Sequence, residues 1–154
     1  RPRWPWWCTL HDLHTALLAF YAALMMNTLI TDLAKLYAGR YRPNYEAAPR
    51  DGNRVSFPSG HSSWSFATAT FLSLYAAGKV RLFSGSGSLA MYLLALAPLY
   101  VAGLVAISRT RDYHHNFDDI LAGAVLGAGT SASIYHVYFR PVFAAWSHVA
   151  YARG

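Results

Sequence analysis

A chain of 154 residues is the length of one domain, and a single domain over 1–154 is expected. Its composition excludes an ordinary soluble one, with 55% of residues hydrophobic, 16% aromatic and only 13% charged, against about 25% charged in soluble domains. The formal net charge of +6 matters less than where charge is missing. No Asp, Glu, Lys or Arg occurs from Leu13 to Thr31, Val55 to Gly78, Leu82 to Ser108 or Ile120 to Phe139, four runs of 19, 24, 27 and 20 residues. About 20 residues carry a helix across a bilayer, so the expected architecture is all-α, a membrane-embedded antiparallel bundle with four transmembrane helices.

The chain opens on RPRWPWW without a Met. That order of residues is not a signal peptide; it reads as an aromatic-rich juxtamembrane segment of a longer protein. The lone Cys8 leaves no intrachain disulfide to form. The first span is expected from about Leu13 to Tyr37, with Asp32 and Lys35 in its last turns. Pro43, Pro49, Asp51-Gly52 and Pro58 then break the chain. A second span begins between Ser59 and Ser62 and ends at Gly78, before Lys79 and Arg81. The turn at Gly85, Ser86 and Gly87 leads to a third span from about Ser88 to Ile107, which contains Pro98. A ten-residue polar loop follows, then a fourth span from about Phe117 to Phe139, stopped by Arg140-Pro141. The tail, with Trp146 and Tyr151, is expected along the interface as a short helix.

With four crossings, the end of the first span, the start of the second, the end of the third and the start of the fourth lie on one face. Lys35 and Arg42, then Pro58-Ser59-Gly60-His61, then Ser108-Arg109 with His115 and Asp119 therefore meet at one membrane surface. Lys and Arg counts of 6 and 7 on the two faces do not orient the chain by themselves. Discounting cations that gather for chemistry puts both termini on the cytosolic face.

These groups suit a phosphoryl anion. Lys35, Arg42 and Arg109 are three cations, and the planar fork of arginine matches a tetrahedral oxyanion. Ser59 and Gly60 stand where a helix begins, with free backbone N–H groups and the positive end of its dipole. Of His61 and His115, one can attack phosphorus while the other protonates the leaving oxygen. A carboxylate four residues on, Asp119, can hold one ring nitrogen's proton and leave the other lone pair free. His114 and Asp118 form a competing pair at the same spacing. Arg40, Arg50, Arg54 and Arg111 are expected as snorkelling interfacial anchors. His11, His14, His136 and His148 lie on the opposite face or in the tail, and Trp4, Trp6, Trp7, Tyr37, Tyr41 and Trp146 suit an aromatic belt.

Lys35–x6–Arg42-Pro43, Pro58-Ser59-Gly60-His61 and Ser108-Arg109–x5–His115–x3–Asp119, in this order, resemble the three-part signature of the type 2 phosphatidic acid phosphatase superfamily. That superfamily also holds vanadium haloperoxidases and bacterial undecaprenyl-diphosphate phosphatases. The flanking text SFPSGHSSWSFA and SRTRDYHHNFDDILAGAVLG looks most like fungal and plant lipid phosphate phosphatases, including diacylglycerol-pyrophosphate phosphatases. The resemblance implies His115 as the nucleophile, Asp119 as its partner and His61 as the general acid. It implies Lys35, Arg42, Ser59, Gly60 and Arg109 as phosphate ligands, and neither metal nor other cofactor. It selects His115 and Asp119 over His114 and Asp118.

The implied reaction is removal of a phosphomonoester or pyrophosphate group from phosphatidate, lysophosphatidate or diacylglycerol pyrophosphate. The expected partners are a phospholipid phosphate and the lipid bilayer, with no nucleic acid; oligomeric state leaves no signal. The family's membrane members usually have six spans with the site on the lumenal or extracellular side, so four spans read either as that fold without its first two helices or as a minimal core of it. Other readings are a polyprenyl-diphosphate phosphatase, a non-catalytic lipid-phosphate binder, and a metal-dependent membrane oxidase using His61, His114, His115, Asp118 and Asp119. Three cations beside the histidines attract an anion and repel a metal ion, which disfavours the last.

Overall fold

No proline or glycine interrupts the sequence between Trp6 and Ala38, and this stretch forms one helix, α1 (Trp6–Ala38), of 33 residues. A computed structural model describes residues 6–40, 55–83, 87–111, 115–144 and 146–151. Gly39 ends α1: it adopts φ +55°, and its N–H bonds to the carbonyl of Lys35 at 3.1 Å. A glycine in the left-handed region just past the last helical residue is an ordinary helix stop. Three more helices follow, α2 (Gly60–Lys79), α3 (Leu89–Arg111) and α4 (Phe117–Tyr138).

Helices α1, α3 and α4 are long and apolar enough to cross a membrane, over Leu10–Ala38, Leu89–Thr110 and Phe117–Tyr138. α2 has the length, about 30 Å, but not the apolarity. Ser62, Ser63, Ser65, Thr68, Thr70 and Ser73 dilute it. The four expected crossings thus become three apolar helices packed around a more polar fourth. α2 touches all three others, and α4 most extensively, whereas α3 and α4 barely meet. In its first turn α2 places one of these hydroxyls on partners inside the bundle. Ser63 Oγ donates to Asn27 Oδ1 and meets Thr31 Oγ1, both at 2.7 Å.

Small side chains at a spacing of four residues bring the helices together, forming the i±4 rows that pack into grooves. On α4 the buried residues are Asp119, Gly123, Gly127, Ser131 and Tyr135. A Cβ at Gly127 would stand 2.1 Å from the Ser63 carbonyl oxygen, and one at Gly123 2.5 Å from that of Ser59. Only glycine lets α4 lie this close to α2, as in small-residue contacts between membrane helices. On α1 the row is Ala19, Ala23, Asn27 and Thr31, all buried, and its next member is Lys35. Both rows therefore rise from a small-residue contact to a candidate site residue.

The other end is aromatic and locked by ions. Tyr135 stacks on Phe139 at 5.1 Å and meets Phe71 edge-on at 5.8 Å, with Phe20 against Phe71 at 5.4 Å. The tail is not a helix in its described residues. It makes turns and comes back to α4, pairing Ala150 with Phe139 and donating the Tyr151 N–H to the Tyr138 carbonyl at 3.0 Å. The third helix also differs from expectation. It runs on through Ser108 to Arg111, so Arg109 stands on a helical turn rather than at a loop.

Candidate active site

Asp119 is the fixed point of the site end. It is the third residue of α4, and the backbone N–H of Asn116, the residue before the helix, donates to its Oδ2 at 3.0 Å. This is the return half of a capping box. The buried hydroxyl of Ser56 donates to the same oxygen. Arg40 Nη1 lies 3.3 Å from Oδ1 and also pairs with Asp118 Oδ2. Asp119 is 0% exposed, and burial of a carboxylate requires such donors.

His115 is also buried, at 6% exposure. Its Nδ1 is 3.7 Å from Asp119 Oδ2 and 3.3 Å from Ser56 Oγ. The expected direct His–Asp hydrogen bond is therefore a three-cornered contact, with Ser56 between the ring and the carboxylate. The carboxylate and hydroxyl occupy the Nδ1 edge, and by the ring's covalent geometry Nε2 points away from them. Asp119 rather than Asp118 is the carboxylate beside His115. Asp118 is exposed and held by Arg40; His114 lies outside the described residues.

The segment before α2 is tied in from both sides. The Ser56 N–H donates to the Arg40 carbonyl at 2.7 Å, and the Ser59 N–H to the Asp119 carbonyl at 2.9 Å. Ser59 is fully buried as the cap of α2, its Oγ accepting from the Ser62 N–H at 3.5 Å. Its backbone N–H and one hydroxyl lone pair are thus engaged within the fold. Gly60 begins the helix beside Lys35, and a Cβ there would lie 3.2 Å from Lys35 Nζ. This glycine leaves room for an ammonium over the helix N-terminus, where an anion is favoured. Lys35 Nζ is otherwise 3.4 Å from Asp32, whose side chain is largely exposed.

His61 stands exposed on the first turn of α2. Arg109 is half-buried on the last turn of α3, its Nε donating to Ser108 Oγ at 3.2 Å. Arg42 lies outside the described residues. Among the described residues, no three His, Cys, Asp or Glu side chains come together as a metal site.

Two residues escaped the sequence reading. Arg40 was expected as an interfacial anchor; instead the Gly39 turn carries it onto both aspartates. Ser56 had no role, although it sits three residues before Ser59, within the same short segment that meets α4.

The chain matches the PAP2 superfamily over residues 16–143. It is 46% identical over 142 residues to a PA-phosphatase related-family protein of Dictyostelium discoideum, covering 86% of this chain and 52% of that protein. It is 38% identical over 151 residues to lipid phosphate phosphatase 1 of Arabidopsis thaliana, covering 84% and 46%. With diacylglycerol pyrophosphate phosphatase 1 of Saccharomyces cerevisiae it shares 31% identity over 156 residues, covering 84% and 54%. The chain spans about half the length of these curated relatives. No solved structure matches it. With three motifs in order, their described residues at one end of a membrane bundle, and the match covering most of its length, the chain belongs to the PAP2 superfamily.

Proposed function

We propose that this chain is the catalytic core of an integral-membrane lipid phosphate phosphatase acting through a phosphohistidine. One observation carries the proposal: a buried histidine whose Nδ1 edge faces Ser56 and the buried Asp119, at the bundle end where Lys35 overhangs the start of α2. The names of the relatives favour a lipid phosphate such as phosphatidate or diacylglycerol pyrophosphate as substrate, and lysophosphatidate belongs to the same chemical class.

In the first step His115 Nε2 attacks phosphorus, and the bond from phosphorus to the leaving oxygen breaks with its electron pair passing to that oxygen. His61 protonates it. Lys35, Arg42, Arg109 and the backbone N–H of Gly60 stabilise the charge on the equatorial oxygens. Asp119, through its contact and through Ser56, stabilises the positive charge that develops on the imidazole. Water then attacks the phosphohistidine, giving its proton to His61, and inorganic phosphate leaves with His115 restored. No metal is needed. The site faces the lumenal or extracellular side, with the lipid headgroup at the membrane surface.

The test is phosphate release by the purified protein from a panel of lipid phosphates, with and without chelator. His115→Ala and His61→Ala are each expected to lower turnover by about 10⁴-fold or more, and only the His61 variant is expected to trap a phosphoenzyme. Normal turnover by His115→Ala defeats the assignment. Activity lost to chelator and restored by zinc or iron favours a metal centre instead.

A further inference from the structure

Between α2 and α3 lies an open apolar groove of about 460 Å³, within the roughly 300–1,000 Å³ of ordinary ligand sites. On α2 it runs from Trp64 to Leu72, and on α3 from Val105 to Pro98. Its floor is made by Ala69 and Ala102, which are 3% and 2% exposed. Those two small residues let the helices approach while leaving a channel above them.

The groove is in register with the candidate site. Trp64 follows His61 by three residues, and Val105 precedes Arg109 by four, so each wall begins one helical turn from a candidate site residue on the same helical face. From there the walls descend about 10–12 Å toward the bilayer centre. A cation and a histidine at the mouth with an apolar channel below are complementary to an anionic headgroup carrying a hydrocarbon tail.

We propose that this groove holds one acyl chain of the lipid phosphate whose headgroup sits at His115. The identity of that headgroup rests on the phosphatase proposal. Lipid tails are already surrounded by hydrocarbon, so the groove gains little from apolarity as such. It acts by shape, fixing how deep the lipid sits and therefore how far its phosphorus stands from the nucleophile. A 1 Å misplacement of reacting groups is enough to cost about 10²-fold in rate. Positioning of the tail is thus a means of selecting chain length.

The experiment compares phosphatidates bearing butyryl or oleoyl chains, using the full chain in lipid nanodiscs. Ala69→Phe and Ala102→Phe fill the channel. Leu104→Phe, on the lipid-exposed face of α3, is the control. The groove variants are expected to lose about tenfold or more in kcat/KM on the oleoyl substrate while keeping wild-type values on the butyryl one, and Leu104→Phe to change neither. Equal values on both substrates in folded groove variants, whether reduced or normal, overturn the proposal.

Cross-linking of the unmodified protein with a diazirine-bearing oleoyl phosphatidate gives a second reading that does not depend on the variants folding. Adducts on residues 64–72 and 98–105, displaced by unlabelled phosphatidate, are expected. Adducts confined to other exposed faces overturn the groove, as does finding it filled by a helix from another protein segment or a second copy. Turnover of the butyryl substrate with no groove adducts leaves the phosphatase standing and the groove rejected. Groove adducts without turnover of either substrate leave a lipid site and reject the phosphatase.

Discussion

At one end of the bundle Asp12 is enclosed by Lys79 Nζ at 2.5 Å and the Tyr75 hydroxyl at 2.9 Å. Lys79 also donates to the His148 carbonyl at 2.7 Å and lies over the Tyr75 ring. At the other end Asp119 is enclosed by Ser56, Asn116 and Arg40, with an imidazole edge 3.7 Å away. Both are carboxylates held by donors from several elements, yet they serve different ends. The Asp12 cluster joins α1, α2 and the tail, its cation facing inward onto groups of the fold. At the Asp119 end the nearest ammonium, Lys35, has a long contact to a solvent-exposed partner and overhangs a helix N-terminus. Charge closed on itself supports the fold, while charge left facing a helix N-terminus is available to a ligand.

Substitution at each end separates the two roles. Asp119→Asn keeps the size of the side chain but removes the charge that supports an imidazolium, and phosphate release is expected to fall by about 10³–10⁴-fold. A melting temperature that collapses while activity per folded molecule stays normal makes Asp119 a second structural lock and erases the contrast. Lys79→Met should do the reverse. It leaves Asp12 with Tyr75 and loses the tie to the tail, at a cost of about 1–3 kcal/mol, below that of a fully buried pair because both side chains are partly exposed. Turnover per folded molecule is expected to stay normal in denaturation and activity assays run side by side. Adding Asp12→Asn should recover part of the lost stability, because no buried charge is then left alone.

The division between the ends was partly legible in the sequence. Charge-free runs marked all four helices, and the histidine and carboxylate four residues apart pointed to the beginning of the last one. The subtler structural facts depend on contacts between distant segments. Ser56 acquires its place only because Gly123 and Gly127 let α4 settle on α2; a serine in a polar run carries no mark of that. Arg40 resembles any arginine near a span end until Gly39 turns it back on Asp118 and Asp119. α2 was expected to be as lipid-compatible as the others from its lack of charge alone. Hydroxyls count against crossing by composition, but an interior helix can place them on partners such as Asn27 and Thr31.

Gly60→Ala probes the ligand-facing charge more gently. The added methyl meets only the flexible end of Lys35, at 3.2 Å from Nζ and 3.8 Å from Cε, so the ammonium swings aside without disturbing α2. Alanine is also the better helix former, by about 1 kcal/mol in a helix interior and less at this first turn. The expected outcome is unchanged or slightly raised stability with a severalfold higher KM and little change in kcat, the pattern of lost ground-state binding. A drop in melting temperature without any change in KM makes the Gly60 gap a packing feature and removes Lys35 from the ligand side of the comparison.

The weakest effect belongs to the locked end. Burial lowers the pKa of His148 from its ordinary 6.5, and the positive charges of Arg81 and Lys79 lower it further against the opposing pull of Asp12. A histidine held neutral in the folded state binds its proton more readily once unfolded, so the unfolded chain takes up more protons below about pH 6.5. The contribution is fully present above that pH and declines as acid brings the pH down toward the folded-state pKa. Melting curves in detergent between pH 7.5 and 5 are therefore expected to show a modest loss of stability on acidification, with a shallower slope in His148→Gln. Phosphate release near neutral pH should be the same in both proteins, since the titrating group stands at the end remote from His115. Identical slopes for variant and wild type show that the Lys79 cluster tolerates a protonated neighbour, and that the lock is looser than its short contacts imply.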